Sequence, residues 1–417
     1  KYWTASAISD VGSQITALAL PLIGALTLMA TPWQMGALTA ASTAPIVIIG
    51  LFAGVIVDRL RRRPVLIATD IGRAALLLTI PLASVFGVLR IEILYAVAFL
   101  VGALSVLFDV AHLAFLTSLL RREDLVDGNS KLEVTAATAQ VVGPGLGGAI
   151  IGVLGAPFAV VLDALSFLVS GWLIKETRAV EPTRARGDTR SSLWGEIREG
   201  LRVVFAQPIL RALMGCSATI NLFGRMFLAV YVLYMTRDLE LGAVGVGLVL
   251  ATGGLGSLAG AFVGAPATRR FGFGPVLIAS ALAFGLTGLL VPLAVLFPKV
   301  ALPMVVASEF AQWMSILVYY VAAITVRQAM APDRLQGRVN ATIRFVAGSA
   351  MPTGALIGGA LGGLIGLPLT LVVAELGTLL GVIWLVLSPV RTLRGLPEAT
   401  LEHGGPTTQD PQTPITA

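Results

Sequence analysis

Gly54-Val55-Ile56-Val57-Asp58-Arg59, closely followed by Pro64-Val65-Leu66-Ile67-Ala68, returns later in the chain as Gly264-Ala265-Pro266-Ala267-Thr268-Arg269, followed by Pro275-Val276-Leu277-Ile278-Ala279. The echo extends outward from there. Asp124-Leu125-Val126-Asp127-Gly128 is answered by Asp333-Arg334-Leu335-Gln336-Gly337. Gly155-Ala156-Pro157, with Asp163 beyond it, is answered by Gly366-Leu367-Pro368, with Glu375 beyond. Offsets of 209 to 211 residues make the second half a diverged copy of the first. Two related apolar halves imply a solute pathway at the seam between them.

Composition places both halves in a membrane. Hydrophobic residues make up 56% of the 417, charged residues only 12%, and mean hydropathy is +0.88. A soluble domain carries about 25% charged residues. Twelve apolar stretches approach or exceed the roughly 20 residues that a helix needs to cross a bilayer. They fall at 3–29, 33–57, 64–87, 91–119, 131–154, 156–174, 208–236, 241–265, 272–297, 300–329, 336–365 and 367–390. Their length, with no short alternating segments, predicts helices and excludes a barrel of strands. The expected protein is all-α, with a six-helix bundle over 1–174, a connector over 175–207, a second six-helix bundle over 208–395 and a disordered tail over 396–417.

Of the 29 basic residues, 23 fall at the termini, in the connector or in loops between even and odd spans, and only Arg90, Arg237 and Lys299 lie on the other side. The positive-inside rule then puts both termini and the connector in the cytoplasm of a bacterial cell, with the chain in its plasma membrane. Basic residues scattered over short loops do not make a nucleic-acid surface. The single cysteine, Cys216, excludes an internal disulfide, and His112 and His403 are too few for a zinc cluster. No phosphate-binding loop is present, so no cofactor, metal or nucleotide is expected. In the connector, Leu193, Trp194, Ile197, Leu201 and Val204 share one face of a predicted amphipathic helix lying on the membrane surface. A monomer in contact with lipid is expected.

Glycines recur at four-residue spacing within the spans: Gly143/Gly147 and Gly148/Gly152 in the fifth, Gly256, Gly260 and Gly264 in the eighth, and Gly354, Gly358, Gly362 and Gly366 in the eleventh. Such stripes let helix backbones approach closely in lipid. Two of the glycine-bearing motifs resemble family signatures. Gly54, Asp58, Arg59 and the Arg61-Arg62-Arg63 run are similar to the Gly-x-x-x-Asp-Arg-x-Gly-Arg-Arg loop of the major facilitator superfamily, with Arg61 at the second glycine. There Gly54 permits helix contact, Asp58 can face a helix N-terminus of the other half, and Arg59, Arg62 and Arg63 can meet carboxylates or lipid phosphates. This latch is expected to stabilise the state closed on the side away from the cytoplasm. Gly143-Pro144-Gly145-Leu146-Gly147-Gly148 resembles the Gly-Pro-x-x-Gly-Gly element of exporters working as antiporters, where Pro144 kinks the helix and the glycines seat it against the other half.

Ile8-Ser9-Asp10-Val11-Gly12, Leu162-Asp163-Ala164-Leu165-Ser166-Phe167 and Gln336-Gly337-Arg338-Val339-Asn340 look like the branch of macrolide-efflux and enterobactin-exporter proteins. Ser13 stands where many of that branch carry an acid. The resemblance implies the major facilitator fold and proton-driven efflux of small amphipathic organic molecules of drug or siderophore type. A proton-coupled importer and a lipid handler on the same fold are the rival readings. An enzyme is not expected, because no Ser/His or metal-binding pair occurs at workable spacing within the spans.

Charge within a bilayer costs about 2.5–3.5 kcal/mol even on lenient scales, so each intramembrane ionisable residue is a candidate for function. Arg73 has two possible partners, Asp70 one turn away and Asp109 at comparable depth, for a structural or gating ion pair. His112 reads as packing. Asp10, Asp163, Glu309 and Glu375 have no basic neighbour in sequence. Burial disfavours the charged form of a carboxyl, which fits it to bind and release a proton. Glu309, then Asp10, then Asp109 are the candidates for that role, while Asp163 and Glu375 read equally well as bonding helix ends. Arg225 either pairs with Glu309 or recognises an anionic substrate. Phe223, Met226, Phe227, Tyr231 and Tyr234, with Gln312, Trp313, Tyr319 and Tyr320, are candidates to contact a large apolar ligand.

Overall fold

The computed structural model of the protein describes residues 2–119, 124–177, 201–330 and 336–395. Leu193, Trp194 and Ile197 of the connector, and the tail from 396, lie outside the described residues. Residues 201–206 are helical, and Val204 is buried with Leu210, Met214, Val339 and Ile343.

Twelve helical spans are present among the described residues. In the first half these are α1 (Tyr2–Leu22), α2 (Pro32–Ile48, resumed as Gly50–Arg59), α3 (Arg62–Val85), α4 (Ile91–Leu119), α5 (Leu125–Leu154) and α6 (Ala156–Lys175). The second half has α7 (Pro208–Arg237), α8 (Ala243–Phe271), α9 (Phe273–Gly288, prolonged by short turns to Leu296), α10 (Ala301–Met330), α11 (Gln336–Ile365) and α12 (Leu367–Val386). Eleven carry a stretch long and apolar enough to span a membrane. The exception is α2, interrupted at Ile49 between Pro45, which has no N–H to give, and Gly50, a poor helix former. α5 starts and α8 ends about six residues beyond the expected limits, where polar residues continue the helix outside the apolar stretch. α12 stops at Val386 and gives way to a 3-10 turn over Pro389–Thr392.

Local signals set the boundaries. α1 loosens into a π turn over Ile23–Thr27 after Pro21, and the chain reverses through Met29 at φ 48°. Thr31 then caps α2, its hydroxyl accepting from the Gln34 N–H while the Gln34 side chain accepts from the Thr31 N–H. The repeated Gly-x-Pro builds one turn twice: Gly155 and Gly366 both take φ 84°, a region open to glycine, and a proline enters the next helix's first turn each time.

Packing follows the same repeat. α1 lies on α5 and α6, α3 on α4 and α6, and α2 on α4; six helices on, α7 lies on α11 and α12, α9 on α10 and α12, and α8 on α10. The halves meet chiefly through α2 with α11 and α5 with α8. These are the two bundles of the major facilitator architecture.

The ends of the molecule differ. Take the Arg-rich face as the one where α1 begins, and the far face as the one where α1 ends. Toward the far face a single apolar core joins both halves, with Leu22, Met35 and Leu77 from the first and Tyr231, Val246 and Leu371 from the second. Toward the Arg-rich face it divides into a first-half core around Leu66 and Phe115 and a second-half core around Leu213 and Tyr319. Glycines hold the far-face crossings. A Cβ at Gly148 would stand 2.9 Å from the Gly247 Cα, and one at Gly36 would stand 2.7 Å from the Gly359 Cα. Arg237 adds a bond across the seam, its Nη2 donating to the Ala30 carbonyl at 2.8 Å. The structure is closed at the far face and parted at the Arg-rich face.

Candidate functional site

A cavity of about 680 Å3 lies at the seam, walled by α5 from one half and by α7, α8 and α10 from the other, with Met351 of α11 and Glu375 of α12. Its lining is mostly apolar, among it Val134, Phe227, Leu228, Leu258, Ile316 and Leu317. The polar groups are few and specifically placed, as in pockets for organic ligands.

Glu309 is one of them. Its Oε2 accepts from the Tyr231 hydroxyl at 2.7 Å and its Oε1 from the Trp313 indole N–H at 2.8 Å, so each oxygen has a neutral donor. Glu375, from α12, has the same kind of surroundings: Gln312 Nε2 donates to one oxygen at 3.1 Å and the Thr378 hydroxyl to the other at 3.3 Å. Both side chains are buried, at 4% and 1% exposure, and neither has an ion-pair partner among the described residues. Helical geometry explains the pairing. Trp313 follows Glu309 by four residues and Thr378 follows Glu375 by three, so each donor shares a helix face with its acid. Asp163 repeats the second pattern in the first half, accepting from the Ser166 hydroxyl three residues on at 3.0 Å.

Arg225 also faces the cavity, from α7. It makes no ion pair with Glu309, and no carboxylate among the described residues contacts it. Its polar neighbour is Tyr320, whose hydroxyl donates to Asn221 Oδ1 at 3.5 Å. Trp313 and Gln312 line the cavity. Phe223 and Met226, expected there, do not: Phe223 packs on Gly377 of α12, and Met226 is buried with its backbone against Gly358 of α11. α7 turns by 100° per residue, so the face presenting Asn221, Gly224, Arg225 and Leu228 leaves these two pointing the other way. Tyr234 and Tyr319 are tied elsewhere, to the Val291 carbonyl and to Ser217, while Phe227, Tyr231 and Tyr320 are in the wall.

In the first half Arg73 pairs with Asp70, and its guanidinium lies 4.2 Å from the Phe108 ring centre and 4.0 Å from that of Phe167. Asp109 makes no ion pair with it but stands within electrostatic reach of both Arg73 and Arg344 of α11. Asp10 lies in the field of Asp109, Glu133 and Arg73. His112 is a packing residue, bonded at Nδ1 to the Tyr2 hydroxyl at 2.8 Å, its ring tilted by 42° against that of Phe108.

The loop after α2 departs from expectation. The side chains of Asp58 and Arg59 lie outside the described residues. Nothing stands within 4 Å of a Cβ at Gly54, although this is the far-face-closed state that the loop was expected to latch. The reason is geometric: the loop belongs to the parted face, so contact between halves there requires that face to close. Arg62 and Arg63 reach carbonyls of their own half, Arg62 that of Ala114 at 2.5 Å and Arg63 those of Ile174, at 3.3 Å, and Lys175. In the fifth helix Gly148 of the motif meets Gly247 and Gly145 meets Ala251, both on α8 of the other half. Gly143 lies on Gln14 and Gly147 on Ile15, both of α1, and the Pro144 carbonyl faces Gly247.

Sequence reading missed Gly36, Gly247 and Gly359, which stand beside the glycine stripes and make the crossings between halves. It also passed over Glu133 and Asn221 as cavity residues. A polar side chain inside an apolar span was the signal available for Asn221.

A family model described as transmembrane secretion effector matches residues 1–408. The chain belongs to the major facilitator superfamily. It is a multi-pass membrane transporter, not an enzyme. Within the superfamily it is similar to the multidrug efflux pump Tap of Mycolicibacterium fortuitum, 30% identical over 392 residues that cover 88% of this chain and 93% of that one. The class C tetracycline resistance protein of Escherichia coli is 31% identical over 237 residues, 54% of this chain and 55% of that one. In solved structures the same facilitator fold appears in a bacterial homologue of the iron transporter ferroportin in its inward-facing state, with TM-score 0.70, 16% identity, and coverage of 92% of this chain and 96% of that one. A bacterial homologue of the lysosomal transporter Spinster, inward-facing and occupied, gives TM-score 0.69 at 15% identity over 93% and 95% of the two chains.

Proposed function

We propose that this facilitator exports amphipathic organic molecules from a bacterial cytoplasm by proton antiport, its two bundles rocking about the cavity at their seam. The observation that carries the reading is the pairing of an apolar cavity with Glu309, a buried carboxyl held by two neutral donors and no cation. A carboxyl so placed changes charge when a proton arrives, and in a cavity of low polarity that change alters the binding of anything beside it. The similarity to a multidrug efflux pump over most of both chains supports export and the drug-like substrate class. The charge distribution supports placing the Arg-rich face in the cytoplasm. With that orientation the structure is the cytoplasm-open state, ready to take substrate from inside.

Reconstituted vesicles with an imposed pH gradient test this reading. Macrolides, cationic dyes and siderophores are added in turn, and proton release is followed. At least one compound is expected to discharge the gradient, and only in vesicles containing the protein. Glu309→Gln is expected to abolish gradient-driven accumulation of that compound. Unchanged accumulation in Glu309→Gln removes this residue from coupling, and silence across the whole panel overturns the antiport reading.

A further inference from the structure

Opposite charges share this cavity without pairing. Arg225 is the one cation in its wall among the described residues; Glu309 and Glu375 are buried in the same wall, and Glu133 of α5 stands exposed in it. The two buried acids have their oxygens covered by neutral donors, whereas no carboxylate among the described residues pairs with the guanidinium.

These two situations are not equivalent. A carboxyl in a low-dielectric site can become neutral by taking a proton, but arginine keeps its charge in any protein environment. The charge in the wall left without a counter-ion among the described residues is therefore Arg225, and an anion answers it best, through a charge-assisted hydrogen bond that the guanidinium fork can make bidentate.

An anion alone fits poorly with the acids opposite. Bound beside Glu309, it would favour the protonated acid and travel with the proton. A basic group on the ligand has the reverse effect, since it competes with the proton for Glu309. We propose that the ligand is amphoteric: an amphipathic molecule whose acidic group is held by Arg225 and whose basic group displaces the proton at Glu309, with Trp313, Phe227 and Tyr320 receiving its apolar or aromatic body. This rests on the antiport reading and names its substrate class.

The test is equilibrium binding to purified protein in detergent, with no gradient present. The probes are a fluorescent aromatic scaffold carrying one amine and one carboxylate on linkers of graded length, together with its methyl ester, its N-acetyl derivative and the doubly blocked compound. For the best linker, the wild type is expected to bind the zwitterion at least about tenfold tighter than either singly blocked form. In Arg225→Gln the zwitterion and the ester bind alike while preference for the free amine persists; Glu309→Gln shows the converse. Equal binding of the doubly blocked compound by all three proteins confirms that the variants are folded. Arg225→Lys is expected to restore part of the carboxylate preference. If the wild type binds the ester as tightly as the zwitterion at every linker length, the ligand is simply cationic and the proposal falls. It falls too if the N-acetyl anion matches the zwitterion, or if Arg225→Gln weakens all four probes equally. Charge selectivity without proton release in vesicles overturns antiport and leaves the amphoteric site standing. Proton release by compounds bound without charge selectivity does the reverse.

Discussion

Arg73 and Asp70 are buried at 4% and 0% exposure, and each answers the other's charge. Two aromatic rings enclose the guanidinium, which strengthens its hold without supplying a counter-ion. Removing one partner leaves an uncompensated charge, so Arg73→Met is expected to destabilise the folded protein by about 3–5 kcal/mol, while Asp70→Leu/Arg73→Met recovers most of the loss. Thermal unfolding in detergent, measured for the wild type, the single variant and the double variant, reads the difference. A double variant no better than Arg73→Met would mean that the pair serves some purpose beyond mutual neutralisation. Sequence offered Arg73 two carboxylates, one at i−3 and one across a neighbouring helix, because spacing along a chain cannot choose between a contact within a helix and one between helices. The same limit hid which face of α7 meets the cavity. Phe223 and Met226 sit close to Arg225 in number and carry suitable chemistry, yet at about 100° per residue they stand about 200° and about 100° around the helix from it, off the cavity wall.

Among the helices, the crossings of α5 with α8 and α2 with α11 close the far face, and glycine makes each possible by letting backbones touch. Leucine at Gly148 must push the Gly247 backbone away. Gly148→Leu is therefore expected to shift the population toward a far face that is open. Gly54→Leu, placed in vacant space on the parted face, is expected to leave the far face shut and to oppose closure of the Arg-rich face instead. Ala30→Cys on a Cys216→Ser background reports both, since Ala30 is 1% exposed and its carbonyl receives the bond from Arg237. Maleimide labelling should rise several-fold with Gly148→Leu and stay level or fall with Gly54→Leu; a rise in both would mean that neither crossing controls the seal. The repeat and the twelve spans were legible because hydropathy and self-similarity record length and copy number directly. The seal was not, because a stripe of small residues states that something approaches closely but not which neighbour does. Here the stripe of α8 and Gly354 and Gly358 of α11 serve packing within their own half, Gly362 touches both Val230 of its own half and Pro32 of the other, and Gly247 and Gly359, one position to the side, serve the seam.

At the scale of the molecule, the single core at the far face and the divided cores at the Arg-rich face are what the proposed rocking cycle requires of its cytoplasm-open half. The repeat would make that motion cheap in new contacts: each half has the same internal packing, α1 on α5 and α6 or α7 on α11 and α12, and in the proposed motion only the seam would change. Rigid bundles pivoting about a central cavity must open one end as they close the other. Spin labels at Leu60 and Arg269 report on the Arg-rich face, and labels at Arg90 and Lys299 on the far face, all four positions being exposed and the members of each pair lying in different halves. Saturation with a transported compound, or a change in pH if Glu309 couples protons as proposed, is expected to shorten the first distance and lengthen the second in the same fraction of molecules. Distances within one half, such as Leu60 to Thr177, should hold constant. If both faces narrowed together, the cavity would be closing around its ligand without exposing it to the other side. If the distances within a half changed instead, the bundles would not be the moving bodies, and the symmetry of the repeat would explain the fold without explaining transport.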